Sequence, residues 1–212
     1  DNLFDSHVAK VWVNQWMGFE FKELKNFINP SKNISFNVKG NNWGLCCNSV
    51  HYIDWFHSII DREEIFLDTI DLEKKIYCSK RANYYEIFGK YKIKSNSGHT
   101  LTLECNKNAD LNDLSRKIFI EISNSDNSIF TELLEDSLIC NIENDDEVSQ
   151  LELPVRFQSK RTSEVIQSLI DSDHCNLIEY RISSGHHLII FKMIEDIFKL
   201  NKFDLTKGIP IT

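Results

Sequence analysis

Tyr91-Lys-Ile-Lys-Ser-Asn-Ser-Gly-His-Thr-Leu-Thr-Leu-Glu104 and Tyr180-Arg-Ile-Ser-Ser-Gly-His-His-Leu-Ile-Ile-Phe-Lys192 share one layout about ninety positions apart. In each, an aromatic residue, a basic residue and Ile lead into a Ser/Gly/His turn, and apolar residues follow. Alternation on both sides of a Gly-containing turn reads as a β-hairpin. The surroundings recur as well. Each passage follows a strand-like run (65–70; 151–157, with Pro154 suited to an edge) and a helix-like run (72–82, capped by Asp71; 162–170).

Working outward, 19–28 places Leu24, Phe27 and Ile28 on one helical face and ends at Asn29-Pro30. The run 34–38 alternates, Gly40-Asn41-Asn42 turns, and 43–47 returns. Residues 50–60 are apolar on both parities, which fits a strand buried on both faces or a helix. In the second half a short helical stretch at 111–116 precedes strands at 117–123, 129–134 and 138–142, with an acidic turn at 144–147. Both halves thus read strand, helix, strands, strand, helix, hairpin. The spacing predicts an α+β, β-rich chain of two related halves of antiparallel sheet with few short helices, divided into domains 1–107 and 108–212.

Composition narrows the function classes. The 212 residues are 42% hydrophobic and 26% charged, with fourteen Phe, four Trp and six Tyr, the balance of a globular protein. The net charge of −8 argues against a freestanding DNA-binding module but permits a local basic surface. No apolar run approaches the ~20 residues of a membrane span. Residues 1–5 lack the layout of a signal peptide, and with no initial Met the chain reads as trimmed. Six scattered Cys without a C-x-x-C pair suit buried thiols in a reducing compartment, so a nuclear or cytoplasmic location is expected.

Chemistry-bearing motifs are sparse. Cys46-Cys47 and His174-Cys175 are adjacent pairs without zinc spacing. There is no Gly-x-Ser-x-Gly elbow, no Gly-rich phosphate loop and no H-E-x-x-H. His99 and His186 sit in the Ser-containing turns, and residues 143–147 lack the alternating ligands of a calcium loop. The expectation is a non-enzyme without cofactor or metal.

Ile34-Ser-Phe-Asn-Val-Lys-Gly-Asn-Asn-Trp-Gly-Leu-Cys-Cys-Asn-Ser-Val-His-Tyr-Ile-Asp-Trp-Phe56, the following Ile65-Phe66, and the strand–helix–hairpin run 151–192 together resemble the DNA sliding-clamp fold, in the style of a checkpoint-type subunit or a viral processivity factor. Residues 106–116 are shorter than the connector between clamp domains. The resemblance implies a non-enzymatic subunit in a homo- or hetero-oligomeric ring. It would hold the double-stranded DNA backbone without sequence preference and recruit partners in replication or damage signalling. Its helices would face DNA with Lys22, Lys25, Lys74, Lys75, Lys80, Arg81, Arg116, Lys117, Lys160 and Arg161. The alternative is a β-rich adaptor or viral structural module that does not touch DNA.

Overall fold

The computed structural model describes residues 11–15, 17–79, 81–108, 117–133, 137–144, 147–155, 158–206 and 208–211. The expected segment 111–116 and the residues Lys80 and Arg116 lie outside the described residues.

Eight strands form one sheet. They are β2 (Ser35–Asn41), β3 (Ile65–Leu72), β6 (Gly89–Ser95), β7 (Thr100–Asn106), β8 (Ile118–Ser123), β9 (Asn127–Leu133), β10 (Ser137–Asn144) and β11 (Glu147–Pro154), in the order β11-β10-β9-β8-β2-β7-β6-β3. β2 runs parallel to β7, with Phe36 opposite Leu101, and every other pairing in this sheet is antiparallel. Two small ribbons stand apart: β1 (Trp12–Val13) with β12 (Ile178–Glu179), and β4 (Tyr77–Cys78) with β5 (Tyr85–Glu86).

Period-two burial gives the sheet two different faces. Phe36, Val38, Ile93, Leu101, Leu103, Ile120, Ile122 and Ile129 are buried. They pack beneath α1 (Met17–Glu20), the 3-10 turn Lys22–Phe27, α2 (Leu45–Ile59) and α4 (Tyr180–Leu200). The intervening residues form an open face, where Phe119 and Phe130 stack at 6.0 Å and Lys39 pairs with Glu104. On the covered face, α2 sets Trp55 against Phe21 and Phe36, and Phe56 against Phe36. Each such fully buried aromatic stabilises the fold by roughly 2–3 kcal/mol. α3 (Gln158–Ser172) is exposed along much of its length, with Ile166 and Ile170 facing solvent.

The α+β reading of two related antiparallel halves is corrected here to an α/β architecture on one mixed sheet. The duplication fails at the second hairpin: 176–192 contributes only the two-residue β12 and then the first half of α4. The two passages share a string and nothing more. The helix expected at 72–82 is instead the end of β3 followed by β4, and of the two readings of 50–60 the helix holds, with residues 50–59 in α2. That helix is covered nearly all round, so its apolar residues fall on both parities and imitate a buried strand.

Candidate functional site

The most chemically loaded region lies where α2 and α4 meet beside β1. The β1–β12 ribbon, extended by the Tyr180 N–H donating to the Val11 carbonyl at 2.8 Å, fixes the start of α4. Between them opens a cleft of about 360 Å³, lined by Val13, Tyr180, Ser183, Ser184, His187, Leu188 and Phe191. No Lys, Arg, Asp or Glu is among these residues, so the cleft suits a neutral, partly apolar ligand. Leu188 and Phe191 are partly in solvent and form its rim.

One polar group in the cleft has a defined role. His187 Nδ1 lies 2.9 Å from the Ser183 carbonyl, one helical turn back. A carbonyl only accepts, so Nδ1 carries the hydrogen and Nε2 of the neutral ring is an acceptor. That nitrogen can take a hydrogen bond from a ligand hydroxyl. Ser184 Oγ donates to the Arg181 carbonyl at 2.9 Å, leaving its lone pairs to accept.

Behind the cleft, α2 carries His51, Asp54 and His57, each shifted chiefly by burial. His51 is held down at about 4, first by burial and then by the nearby His187. Asp54 is pushed up to about 6 by burial, although its Oδ2 accepts the Gly18 N–H at 3.1 Å. A Cβ at position 18 would stand 2.9 Å from that oxygen, so only glycine lets α1 approach Asp54 this closely. His57 is lowered, mainly by burial, and its ring meets His186 of α4.

The N-terminus of α2 is already filled by an anion. Gly44 precedes the helix with φ +84° and offers no capping side chain. The Glu86 carboxylate of β5 reaches in instead, accepting the Cys46 N–H at 2.6 Å and the Ile87 N–H at 3.1 Å. Burial still raises its pKa above the usual carboxylate range. Neighbouring Cys46 is raised well above an ordinary thiol by burial and then by Glu86, which makes it an inert thiol.

The cations expected to face DNA are dispersed. Lys22 lies on the exposed side of the 3-10 turn, and Lys25 is ion-paired with Asp61. Lys74, Lys75 and Arg81 lie in the exposed loops around β4, with Lys75 5.1 Å from the Tyr77 ring. Lys117 pairs with Glu132 at 3.2 Å beside the open sheet face. Lys160 belongs to α3. Arg161 is buried, 4% exposed, 2.9 Å from the equally buried Glu20. No group of three or more His, Cys, Asp or Glu that could hold a metal ion occurs among the described residues. His187 and His51 were missed as site residues. The signal for His187 was the helical spacing of apolar residues on α4, which extends beyond Lys192; His51 lies on α2, whose near all-round burial hides its period.

No protein-family model and no curated protein matches this chain. Solved structures do. A protein from Erwinia carotovora atroseptica described as an oxidoreductase superposes with a TM-score of 0.57 at 10% identity, covering 86% of this chain and 62% of its own. A variant of KijD10, a 3-ketoreductase from Actinomadura kijaniata in complex with TDP-benzene and NADP, gives 0.57 at 12% identity, covering 87% and 60%. A protein from Desulfitobacterium hafniense described as an NADPH-dependent oxidoreductase gives 0.55 at 11%, covering 84% and 59%.

This chain shares its fold with these structures. The chain spans about three fifths of the length of these neighbours. The sliding-clamp reading is overturned with the two-halves fold on which it stood. The expectations of a ring-type oligomer around double-stranded DNA, of a non-enzyme, and of an adaptor or viral structural module rested on that fold and are withdrawn with it; the neighbours that share the present fold are described as oxidoreductases. No helix among the described residues is long and apolar enough to cross a membrane.

Proposed function

We propose that this chain forms the substrate-binding part of an NAD(P)-dependent oxidoreductase, and that the cleft beside His187 receives a small neutral compound bearing a hydroxyl or carbonyl group. The observation that carries this reading is the fold shared with oxidoreductases over 84–87% of the chain. The cleft supports it: its surface is mostly apolar, and one acceptor nitrogen can orient a hydroxyl.

The described residues do not themselves fit the dinucleotide. A pyrophosphate needs a Gly-rich turn between a strand and an open helix N-terminus. The junction from β2 to α2 is the nearest counterpart, yet buried Trp43 fills the turn and donates from Nε1 to the Glu104 carbonyl at 2.9 Å. Glu86 occupies the helix N-terminus with a negative charge of its own. A phosphate there would displace one anion with another. We therefore assign this chain the substrate side and derive no step through the cofactor.

The test is a pair of titrations on the purified chain. NADPH fluorescence should show no saturable binding. Ligand-observed NMR with a panel of small hydroxyketones and ketoses should find a binder, and His187→Phe should weaken it roughly tenfold, as loss of one hydrogen bond in an apolar site does. Saturable NADPH binding by the chain alone would overturn the division of labour. A panel without binders, or binding indifferent to His187→Phe, would overturn the cleft.

A further inference from the structure

His57 and His186 form a hydrogen-bonded chain whose proton positions are fully determined by its end. His57 Nε2 lies 2.8 Å from the Glu63 carbonyl oxygen, which can only accept. Nε2 therefore carries a hydrogen, and Nδ1 of the neutral ring is an acceptor. His186 Nε2 lies 2.9 Å from that Nδ1 and must be the donor. The remaining nitrogen, His186 Nδ1, is a lone-pair site, buried without a hydrogen-bond partner in a residue only 2% exposed.

This order exists only while both rings are neutral. An added proton has one place to go, His186 Nδ1, where it creates a buried cation whose N–H meets no acceptor. The surrounding charge does not help. Arg62, after α2, acts unfavourably on both rings, and His187 acts unfavourably on His186. Of the other titratable groups on the packed elements, Asp54 is taken by the Gly18 N–H and His51 is itself held neutral by burial. The Glu63 carboxylate faces Ser97 and His99, and Asp68 and Asp71 of β3 are exposed.

We propose that the His57–His186 pair is a proton-sensitive latch that docks the first half of α4 onto α2 and lets it go on acidification. The second half stays anchored, because Met193, Ile194 and Phe198 are buried in the core. The released half carries the cleft residues Tyr180, Ser183, Ser184 and His187. The latch stands on its own geometry; only its effect on ligand binding rests on the reading of the cleft above.

The sign and size follow from linkage. His186 is held down at about 3 while docked, chiefly by burial, and returns to about 6.5 once released into water. Docking is therefore intact above about pH 6.5 and is lost progressively as the pH falls toward 3. Between pH 7.5 and pH 5 the docked-to-released ratio drops about 30-fold.

Backbone hydrogen exchange, corrected for intrinsic rates, reads this directly. Protection over 180–191 should fall about 30-fold from pH 7.5 to pH 5, while 193–200 and β7 hold theirs. His186→Gln, whose amide still donates to His57 Nδ1 but does not titrate, should abolish the pH response. His57→Gln keeps His186 titratable and should retain it. Unchanged protection in the unaltered protein, a loss spread evenly into 193–200 and β7, or the same response in His186→Gln would each overturn the latch. Nitrogen NMR of the imidazoles in the unaltered chain decides the matter even if a variant does not fold. His186 taking up its proton above pH 6 without loss of protection sinks the proposal.

Discussion

Arg161 and Glu20 offer the sharpest test of how α3 is held. α3 is largely in water, yet Arg161 in its first turns is 4% exposed and Glu20 at the end of α1 is 3% exposed, with Nε and Oε2 2.9 Å apart. Arg161→Met would leave a carboxylate in that dry setting without the Arg161 cation. Breaking one side of a buried ion pair costs roughly 3–5 kcal/mol. At roughly 2–4 °C per kcal/mol for a chain of this size, Tm should fall by about 6–20 °C. Replacing both residues by Met removes both charges and keeps the volume, and should recover all but about 1 kcal/mol. Thermal unfolding by far-UV circular dichroism on the two single variants and the double variant supplies the full cycle. A single-variant shift below about 2 °C, or a double variant that merely sums the two losses, would show that the pair is not a buried clamp.

Two further outcomes concern buried carboxylates. Asp54 is raised to about 6, so its folded-state preference for the proton stabilises fully below about pH 4 and is lost as the pH rises through 6. Asp54→Asn should be more stable than the unaltered chain by about 1–3 kcal/mol at pH 8 and nearly equal to it at pH 4, and a difference constant in urea titrations across that range would contradict this. Glu86→Ala should lose about 2–4 kcal/mol by leaving two buried N–H groups unmet, whereas Glu86→Gln keeps the acceptor and should lose much less; equal losses in urea unfolding would rule out the capping role.

Much of the sheet was legible because it alternates. The runs 65–70 and 138–142 fall within β3 and β10, the runs 34–38, 117–123 and 129–134 match β2, β8 and β9 to within a residue at one end, and the Gly98 turn does join β6 to β7. The helices were harder. α2 buries Leu45, Val50, Ile53, Trp55, Phe56 and Ile59 against partners on several sides, which erases its period. α4 declares itself only over a longer window: Ser183, His186, Ile190, Met193, Ile194 and Phe198 keep helical spacing, and stopping at Lys192 hides it. The parallel β2–β7 pair was beyond local reading, because register between strands more than sixty residues apart leaves no mark in either one. For the site, the His186-His187 pair was visible, but its chemistry depends on Ser183, His57 and Glu63 carbonyl geometry that only folding supplies.

The central position of β2 has a consequence for the order of assembly. β6 and β7 are joined by a short turn, and β8 to β11 form an uninterrupted meander, so both can zip locally. β2 must wait for strands that the chain supplies much later, and it closes the ladder by slotting between β7 and β8. Such long loop closures are slow relative to hairpin formation. Until β2 arrives, β7 and β8 each present a bare edge, and that interval is when the nascent chain is most exposed to mispairing with its neighbours. Pulsed hydrogen exchange during refolding, with β2 amides protected no later than those of β9 and β10, would contradict that sequence of events.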